Sequence, residues 1–350
     1  MARRIFITGG AGFIGSNFIR YIISKSNDIQ IINYDSLTYA GNLMNLIDIE
    51  NNDNYHFIKG DICDKETLYT TLKELSPDYI INFAAESHVD KSIENPDQFV
   101  KTNINGVNNL LKCSLELDIN KFIQISTDEV CGSLDPAGVF TENSPILPRN
   151  PYSATKAAAE HLVKAYFYTY DLPINITRCS NNYGPYQFPE KLIPLTIVNC
   201  LNKKNIRIYG DGKQTRDWIH VLDHCSGIKQ ILDKGRNGEI YTISANVEMT
   251  NLEIVTKIIK EVSEIMPKLG ISDELITFVD DRKGHDRRYA NDASKIRKEL
   301  KWKPTIDFDE GLRNTVKWYL DNQDWIKSII TKEYQNYNDE HCEIRERFFC

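Results

Sequence analysis

Short runs rich in β-branched residues alternate with helix-length stretches through the first half of this 350-residue chain, and that rhythm narrows the fold more than any other feature. The runs fall at 5–8, 29–34, 56–59, 79–83, 122–126 and 174–177; stretches of helical character at 13–25, 65–75, 96–117 and 152–170 lie between most of them. Apolar strands joined by helices of this length belong to βαβ units around a buried parallel sheet. Right-handed crossovers make such a sheet doubly wound. The expected class is therefore α/β, with helices on both faces of the sheet. After about residue 184 the rhythm loosens: Pro185, Pro189 and Pro194 punctuate it, and Tyr209-Gly210-Asp211-Gly212 is a turn signal. A first domain over 1–183, with later segments returning to it, and a smaller lobe over 184–333 follow from that change. The polar stretch 334–350 is either a docked helix or a loose tail.

The segment Ile5-Phe6-Ile7-Thr8-Gly9-Gly10-Ala11-Gly12-Phe13-Ile14-Gly15 reads as a strand, a glycine turn and a helix start. Glycines at 9, 12 and 15 allow a tight turn, close approach of backbone to a pyrophosphate, and tight packing of helix on strand. The helix N-terminus offers unpaired N–H groups and a positive dipole end to the same anion. A glycine triplet alone is weak support, but Asp35 ends the next strand 20 residues past Gly15, where an acid bonds the adenosine ribose hydroxyls. A carboxylate there repels a 2′-phosphate, so the cofactor is NAD rather than NADP. Residues 1–183 are thus expected to be a Rossmann-like NAD domain.

Bulk properties remove several alternatives. A formal net charge of −7 argues against nucleic acid, whose phosphates require a basic face; a small diphosphate needs only a local pocket of donors. Eight cysteines without a close pair read as reduced thiols of a cytosol-like compartment. The N-terminus runs from Met1-Ala2-Arg3-Arg4 straight into a strand, without the apolar core of a signal peptide. No apolar run reaches membrane-spanning length. The expectation is a soluble, cytoplasmic protein with no membrane partner.

Two further motifs carry chemistry. In Tyr152-Ser153-Ala154-Thr155-Lys156, Asn150 is a good N-cap and Pro151 suits the first helical position, so a helix should begin here. Tyr152 and Lys156 then share one face. Free tyrosine, with a pKa of about 10, is a poor base at neutral pH; a nearby ammonium and the helix N-terminus favour its phenolate. Such a group can take a proton from a sugar hydroxyl as hydride leaves the same carbon. Ser126-Thr127-Asp128-Glu129 lies at the carboxyl end of a strand, where doubly wound sheets bind ligands. Dehydration needs one group to remove a carbon-bound proton and another to protonate a leaving hydroxyl, and two carboxyls in unlike environments can divide those tasks.

Together with Ala84-Ala85-Glu86-Ser87-His88, Asn181-Asn182-Tyr183-Gly184-Pro185, the run Phe188-Pro189-Glu190-Lys191-Leu192-Ile193-Pro194, Arg216-Asp217-Trp218 and Gly284-His285-Asp286-Arg287-Arg288-Tyr289, these motifs resemble the extended short-chain dehydrogenase/reductase family, and within it the nucleotide-sugar 4,6-dehydratases. The resemblance runs from about residue 3 to about 322. It implies conversion of dTDP-glucose, or UDP-glucose, to the 4-keto-6-deoxy sugar nucleotide through transient NADH. Tyr152 would deprotonate the 4-hydroxyl, Thr127 bond the same oxygen, Glu129 remove the C5 proton and Asp128 protonate the departing C6 hydroxyl, with Lys156 on the nicotinamide ribose. The cofactor positions implied are Gly9, Gly12, Phe13, Ile14, Gly15, Asp35, Ser36, Thr38, Asp61, Ile62, Ala84, Ala85, Ser87, Thr102, Tyr152, Lys156 and Asn182. The substrate positions are His88, Thr127, Asn181, Lys191, Leu192, Arg207, Tyr209, Arg216, Arg282 and His285. A homodimer is also implied, through helices whose Leu110, Leu111, Leu115, Leu162, Val163 and Tyr166 exceed what one sheet face needs.

Three departures from the family pattern stand out: Cys131 in place of Tyr, Lys283 in place of Pro, and Ser244-Ala245-Asn246-Val247-Glu248 in place of Gly-Gly-His-Asn-Glu. The last leaves open whether Asn246 takes over the nucleoside contact that Val247 cannot make, and with it the choice of dTDP or UDP. His220 and His224 have a metal-like spacing but lack a third ligand, so no metal is expected. The competing readings are a 4-epimerase or decarboxylase of the same family, which would not need the Asp128/Glu129 couple, and a non-catalytic binder of sugar nucleotides on the same scaffold.

Overall fold

The computed structural model describes residues 3–281 and 284–333. In chain order the strands are β1 (Arg3–Thr8), β2 (Ile29–Asp35), β3 (Tyr55–Lys59), β4 (Tyr79–Asn82), β5 (Lys121–Thr127), β6 (Ile174–Cys179), β7 (Asn181–Tyr183), β8 (Ile206–Tyr209), β9 (Thr215–His220), β10 (Ile240–Ile243), β11 (Glu248–Thr250) and β12 (Ile276–Val279). Seven of them form one parallel sheet ordered β10-β6-β5-β4-β1-β2-β3. The order reverses between β1 and β4, which opens a crevice at their carboxyl ends. The fold is α/β and doubly wound. The six early runs all lie in this sheet, but β10 had no counterpart in the sequence reading: four buried residues are too few for periodicity to tell strand from helix.

Alternation along β1 shows why its sequence is apolar throughout. Ile5 and Ile7 face a core with Phe18, Ile22, Ile228 and Trp302, while Phe6 faces another with Ile80, Leu110, Val163 and Ile174. Each such fully buried side chain contributes about 1.5–3 kcal/mol. A third cluster, including Ile193, Ile197, Ile258 and Val316, draws its buried members from residue 183 onward. Beside it lie a sheet ordered β11-β9-β7 and the pair β12-β8.

Two expectations are corrected here. Leu110, Leu111 and Val163 are fully buried in the core of the single chain, so they cannot form a surface for a second copy. The stretch 96–117 is not one regular helix: Pro96–Val100 and Val107–Glu116 are joined by a π-helical turn over Lys101–Gly106. Such wide turns mark functional places in helices. In this one the Asn103 amide accepts from Glu86 N at 2.9 Å and donates to Glu86 O at 3.0 Å and Thr155 Oγ1 at 3.0 Å, tying it to the loop after β4 and to the helix Pro151–Tyr170.

Beneath that helix lies a buried ion pair. Arg178 of β6 meets Glu160 at 2.7 Å, and Ser126 of β5 donates to the same carboxylate at 2.6 Å. Both charged side chains are 4% exposed or less, and together they fasten the helix across the two strands that end at the crevice.

Candidate active site

The crevice is a cavity of about 530 Å³. Every residue assigned in advance to cofactor, substrate or catalysis lines it except Arg282, which lies outside the described residues together with Lys283 and 334–350.

At one end the glycine turn has the geometry a pyrophosphate cradle needs. Gly9 has φ +69°, and a Cβ added there would lie 2.6 Å from Ala84 N. One added at Gly15 would lie 2.4 Å from Gly9 O. The helix Phe13–Lys25 begins at Gly12 without a side-chain cap, leaving its first N–H groups to an anion. Asp35 accepts from Ala11 N at 2.9 Å and Leu37 N at 2.8 Å, one bond on each oxygen. It therefore pins the turn while each oxygen keeps lone-pair capacity for a ribose hydroxyl. These residues fit NAD.

At the centre, Thr127 ends β5 and caps the short turn Asp128–Cys131 by accepting from Glu129 N at 3.2 Å. Asp128 is 2% exposed. Its carboxyl is pushed up to about 8, first by burial and then by the negative Glu129 and Asp217, against a hydrogen bond from Asn291 and the positive Arg216. It is a carboxylic acid at neutral pH. Asn150 caps the helix Pro151–Tyr170 in a reciprocal box with Ser153, with Pro151 at the first helical position. Tyr152 and Lys156 are both buried on its inner face.

Burial acts against the expected activation of Tyr152 by Lys156. Lys156 donates to Ile125 O at 2.6 Å, and burial pushes its ammonium down to about 8. Tyr152 is pushed well above its ordinary value, first by burial and then by the negative Glu129, with Thr127 hydrogen bonding in the opposite direction. Desolvation is the largest of these effects and favours the neutral phenol at rest.

Around the other end, Lys191 donates to Ser87 O at 2.8 Å, and Arg216 donates to Asp286 O at 3.0 Å while stacking on Tyr289 at 4.3 Å. His285 Nδ1 lies 2.6 Å from Asp281, and His88 Nε2 lies 3.7 Å from Glu190. Arg207 and Tyr209 reach the cavity from β8, and Asn181 and Asn182 from β7. The Asn246 amide donates to Asn291 O and its oxygen accepts from Arg297 at 2.5 Å, and neither it nor Val247 lines the cavity. Cys131 is a packing residue among Val130, Phe140, Ala157 and Tyr289, its thiol pushed up to about 11 by burial.

Several participants escaped the sequence reading. Asn251, Gln98, Glu190 and Tyr289 line the cavity, and no motif spacing flags the first two. His224, set aside as a metal decoy, holds Asn182 Oδ1 at 2.9 Å through Nδ1, and burial pushes its ring down to about 3, so it is neutral. His220 caps the helix Val221–Lys234 by accepting from Leu222 N at 3.3 Å.

Comparison with known proteins agrees with this geometry. The GDP-mannose 4,6 dehydratase family model matches residues 6–315. The dTDP-glucose 4,6-dehydratase of Xanthomonas campestris pv. campestris is 47% identical over 340 residues, covering 94% of this chain and 96% of its own. A crystal structure of the Bacillus anthracis dTDP-glucose 4,6-dehydratase with NAD superimposes with a TM-score of 0.86 at 47% identity, covering 94% and 100% of the two chains. That of the Streptomyces venezuelae dTDP-glucose 4,6-dehydratase with NAD and dTDP superimposes with 0.87 at 44%, covering 92% and 98%. A likeness of this depth, carried along almost the whole chain, makes it a member of the dTDP-glucose 4,6-dehydratase family within the extended short-chain dehydrogenases/reductases.

Proposed function

We propose that this chain is an NAD-dependent hydro-lyase converting dTDP-glucose to the 4-keto-6-deoxy sugar nucleotide and water. The observation that carries the reading is Asp128, a carboxyl whose burial favours its acid form, lining the same cavity as Tyr152 and the glycine turn. Oxidation or epimerisation at C4 has no use for such an acid, whereas loss of a hydroxyl does.

Gly9, Gly12, Gly15 and Asp35 hold the dinucleotide, with Lys156 and Asn182 near its nicotinamide end. NAD held there would supply the hydride chemistry that removes hydrogen from C4 and returns it at C6. Only the phenolate form of Tyr152 can take the proton of the 4-hydroxyl, so the resting phenol must first lose its own proton, and Thr127 steadies that phenolate. Glu129 takes the C5 proton, now acidic beside the C4 ketone. Asp128 gives its proton to the C6 hydroxyl, which departs as water, and Glu129 returns its proton to C5. The lobe over 184–333 holds the nucleoside diphosphate through Lys191, Arg207, Arg216 and His285, each of which lines the cavity.

Mass spectrometry of the protein incubated separately with dTDP-glucose and UDP-glucose tests the reading. Loss of one water from dTDP-glucose is expected, with UDP-glucose the slower substrate. An unchanged mass with both, or epimerisation alone, overturns it.

A cytoplasmic homodimer completes the reading. Among the described residues the cysteines are free, which suits a reducing compartment, and no helix is long and apolar enough to cross a membrane. Tyr168 and Tyr170, 76% and 53% exposed on the helix Pro151–Tyr170, offer apolar area for a two-fold contact. Light scattering should give twice the chain mass of 40.3 kDa.

A further inference from the structure

We infer that Asn291 is a positioning residue for Asp128: its amide nitrogen bridges Asp128 and Asp217 and so fixes which oxygen of Asp128 carries the transferable proton. The inference rests on the dehydratase reading above, in which Asp128 is the acid. Asn291 comes from a part of the chain 163 residues away from Asp128 and is 3% exposed. Its Nδ2 donates to Asp128 Oδ2 at 2.8 Å and to Asp217 Oδ2 at 3.2 Å, so both N–H groups are engaged. Its own Oδ1 is buried without a partner.

The backbone around it is held in place. Phe140 N donates to Ala290 O at 2.8 Å, Asp292 N donates to Phe140 O at 2.8 Å, and the Asn246 amide donates to Asn291 O. Turning the amide over would aim its oxygen at two carboxyls, which is unfavourable while either is ionised. Asp217 is the ionised one. It also accepts from the Ser244 hydroxyl and from Val247 N at 3.2 Å, and burial lifts its carboxyl only to about 6.

Protonation of Asp128 follows from this arrangement. The short amide N–H bond to Oδ2 favours the proton on Oδ1, whose bond from the Thr127 hydroxyl is long at 3.4 Å. Asp128 lines the same cavity as Tyr152 and Thr127. The clamp therefore keeps the transferable proton on the oxygen that does not meet Asn291. It also opposes the upward push of burial on Asp128, because a donated hydrogen bond favours the carboxylate. The other charged and titratable groups facing Asp128 are Glu129 and Cys131 on its own turn, Arg216 and Asp217 on β9, Tyr152 on the helix Pro151–Tyr170 and Cys179 ending β6.

The test uses Asn291→Leu, which removes the donor at similar volume, and Asn291→Asp, which keeps the shape but exchanges the NH₂ for oxygen. The holoenzyme carrying either change should keep its KM for dTDP-glucose and still build up transient reduced nicotinamide. Its kcat should fall about 10- to 100-fold, the range of a reacting group left about 1 Å out of place. Carboxyl ¹³C NMR, with Asp128 assigned by the signal missing from Asp128→Asn, should show Asp128 titrating at higher pH than in the wild type. Asn291→Asp should recover activity towards acid pH, where the introduced carboxyl regains a proton to donate. Wild-type kcat together with an unmoved Asp128 titration in either folded variant overturns the proposal, and the isosteric Asn291→Asp decides if Asn291→Leu does not fold. Failure of the wild type to dehydrate dTDP-glucose overturns the dehydratase reading instead, and the NMR titration then decides alone whether Asn291 governs Asp128.

Discussion

Arg178→Met should destabilise the protein by about 3–5 kcal/mol, the range for removing one partner of a buried ion pair. The magnitude follows from what Glu160 would be left with. In the native site its carboxylate receives Arg178 Nε at 3.1 and 3.2 Å, Nη2 at 2.7 Å and the Ser126 hydroxyl at 2.6 Å. Without Arg178 only the serine remains, and the carboxylate side chain, 3% exposed, has no water to replace the guanidinium. At about 2.1 cal/mol/K per residue, unfolding 350 residues carries an entropy of about 0.7 kcal/mol/K, so the change should lower Tm by about 4–7 °C. Differential scanning calorimetry with NAD absent from the buffer reads this directly. Arg178→Met/Glu160→Leu should recover most of the loss, because two apolar side chains leave no uncompensated charge. The helix secured by this pair carries Tyr152 and Lys156, so kcat in the single variant should fall with Tm and recover with it. A single variant that melts within about 1 °C of the wild type, or a double variant that melts lower still, would show that the pair is solvated and that the helix is held by its apolar face alone.

The three central groups should fail at different steps. Tyr152→Phe should neither reduce its nicotinamide nor exchange the C5 proton, and Glu129→Gln should oxidise C4 without taking deuterium into C5. Asp128→Asn should oxidise and exchange while eliminating about 10²–10⁴-fold more slowly; single-turnover absorbance with deuterium-exchange NMR separates the outcomes, and near-wild-type dehydration by both carboxyl variants refutes the assignment. Activity should decline as pH rises through about 8: Asp128 is raised above the ordinary carboxyl range, so its acid form persists at neutrality and is lost only on the alkaline side. Lys156, lowered to about 8, loses its charge over the same interval, and Asp128→Asn should remove only the carboxyl part of that limb of the kcat–pH profile. Gly9→Ala must adopt φ +69° with its Cβ against Ala84, a conformation costing about 1–2 kcal/mol, so NAD affinity measured by calorimetry should drop about tenfold or more.

Features governed by short-range rules were legible in the sequence. The capped start at Asn150–Pro151, the shared face of Tyr152 and Lys156, the glycine turn with Asp35 and the six early strands each depend on hydrogen bonds, φ preferences or side-chain period within a few residues. The family resemblance supplied most of the other residues assigned to the cavity, which motifs at the carboxyl ends of parallel strands bring into one crevice. Energies that depend on which distant group arrives beside which were not legible. Whether Tyr152 rests as phenol or phenolate is a contest between burial and charge, and burial is a property of the assembled crevice rather than of an i, i+4 spacing. The π-turn at Lys101–Gly106 carries Asn103, which bonds to both Glu86 and Thr155 from distant parts of the chain, and Leu110, Leu111 and Val163 belong to the core because another layer covers them. The acid of Asp128 is the clearest case: β5 delivers it to the crevice by local rules, but its proton depends on burial and on Asn291 and Asp217, which only the folded chain brings together.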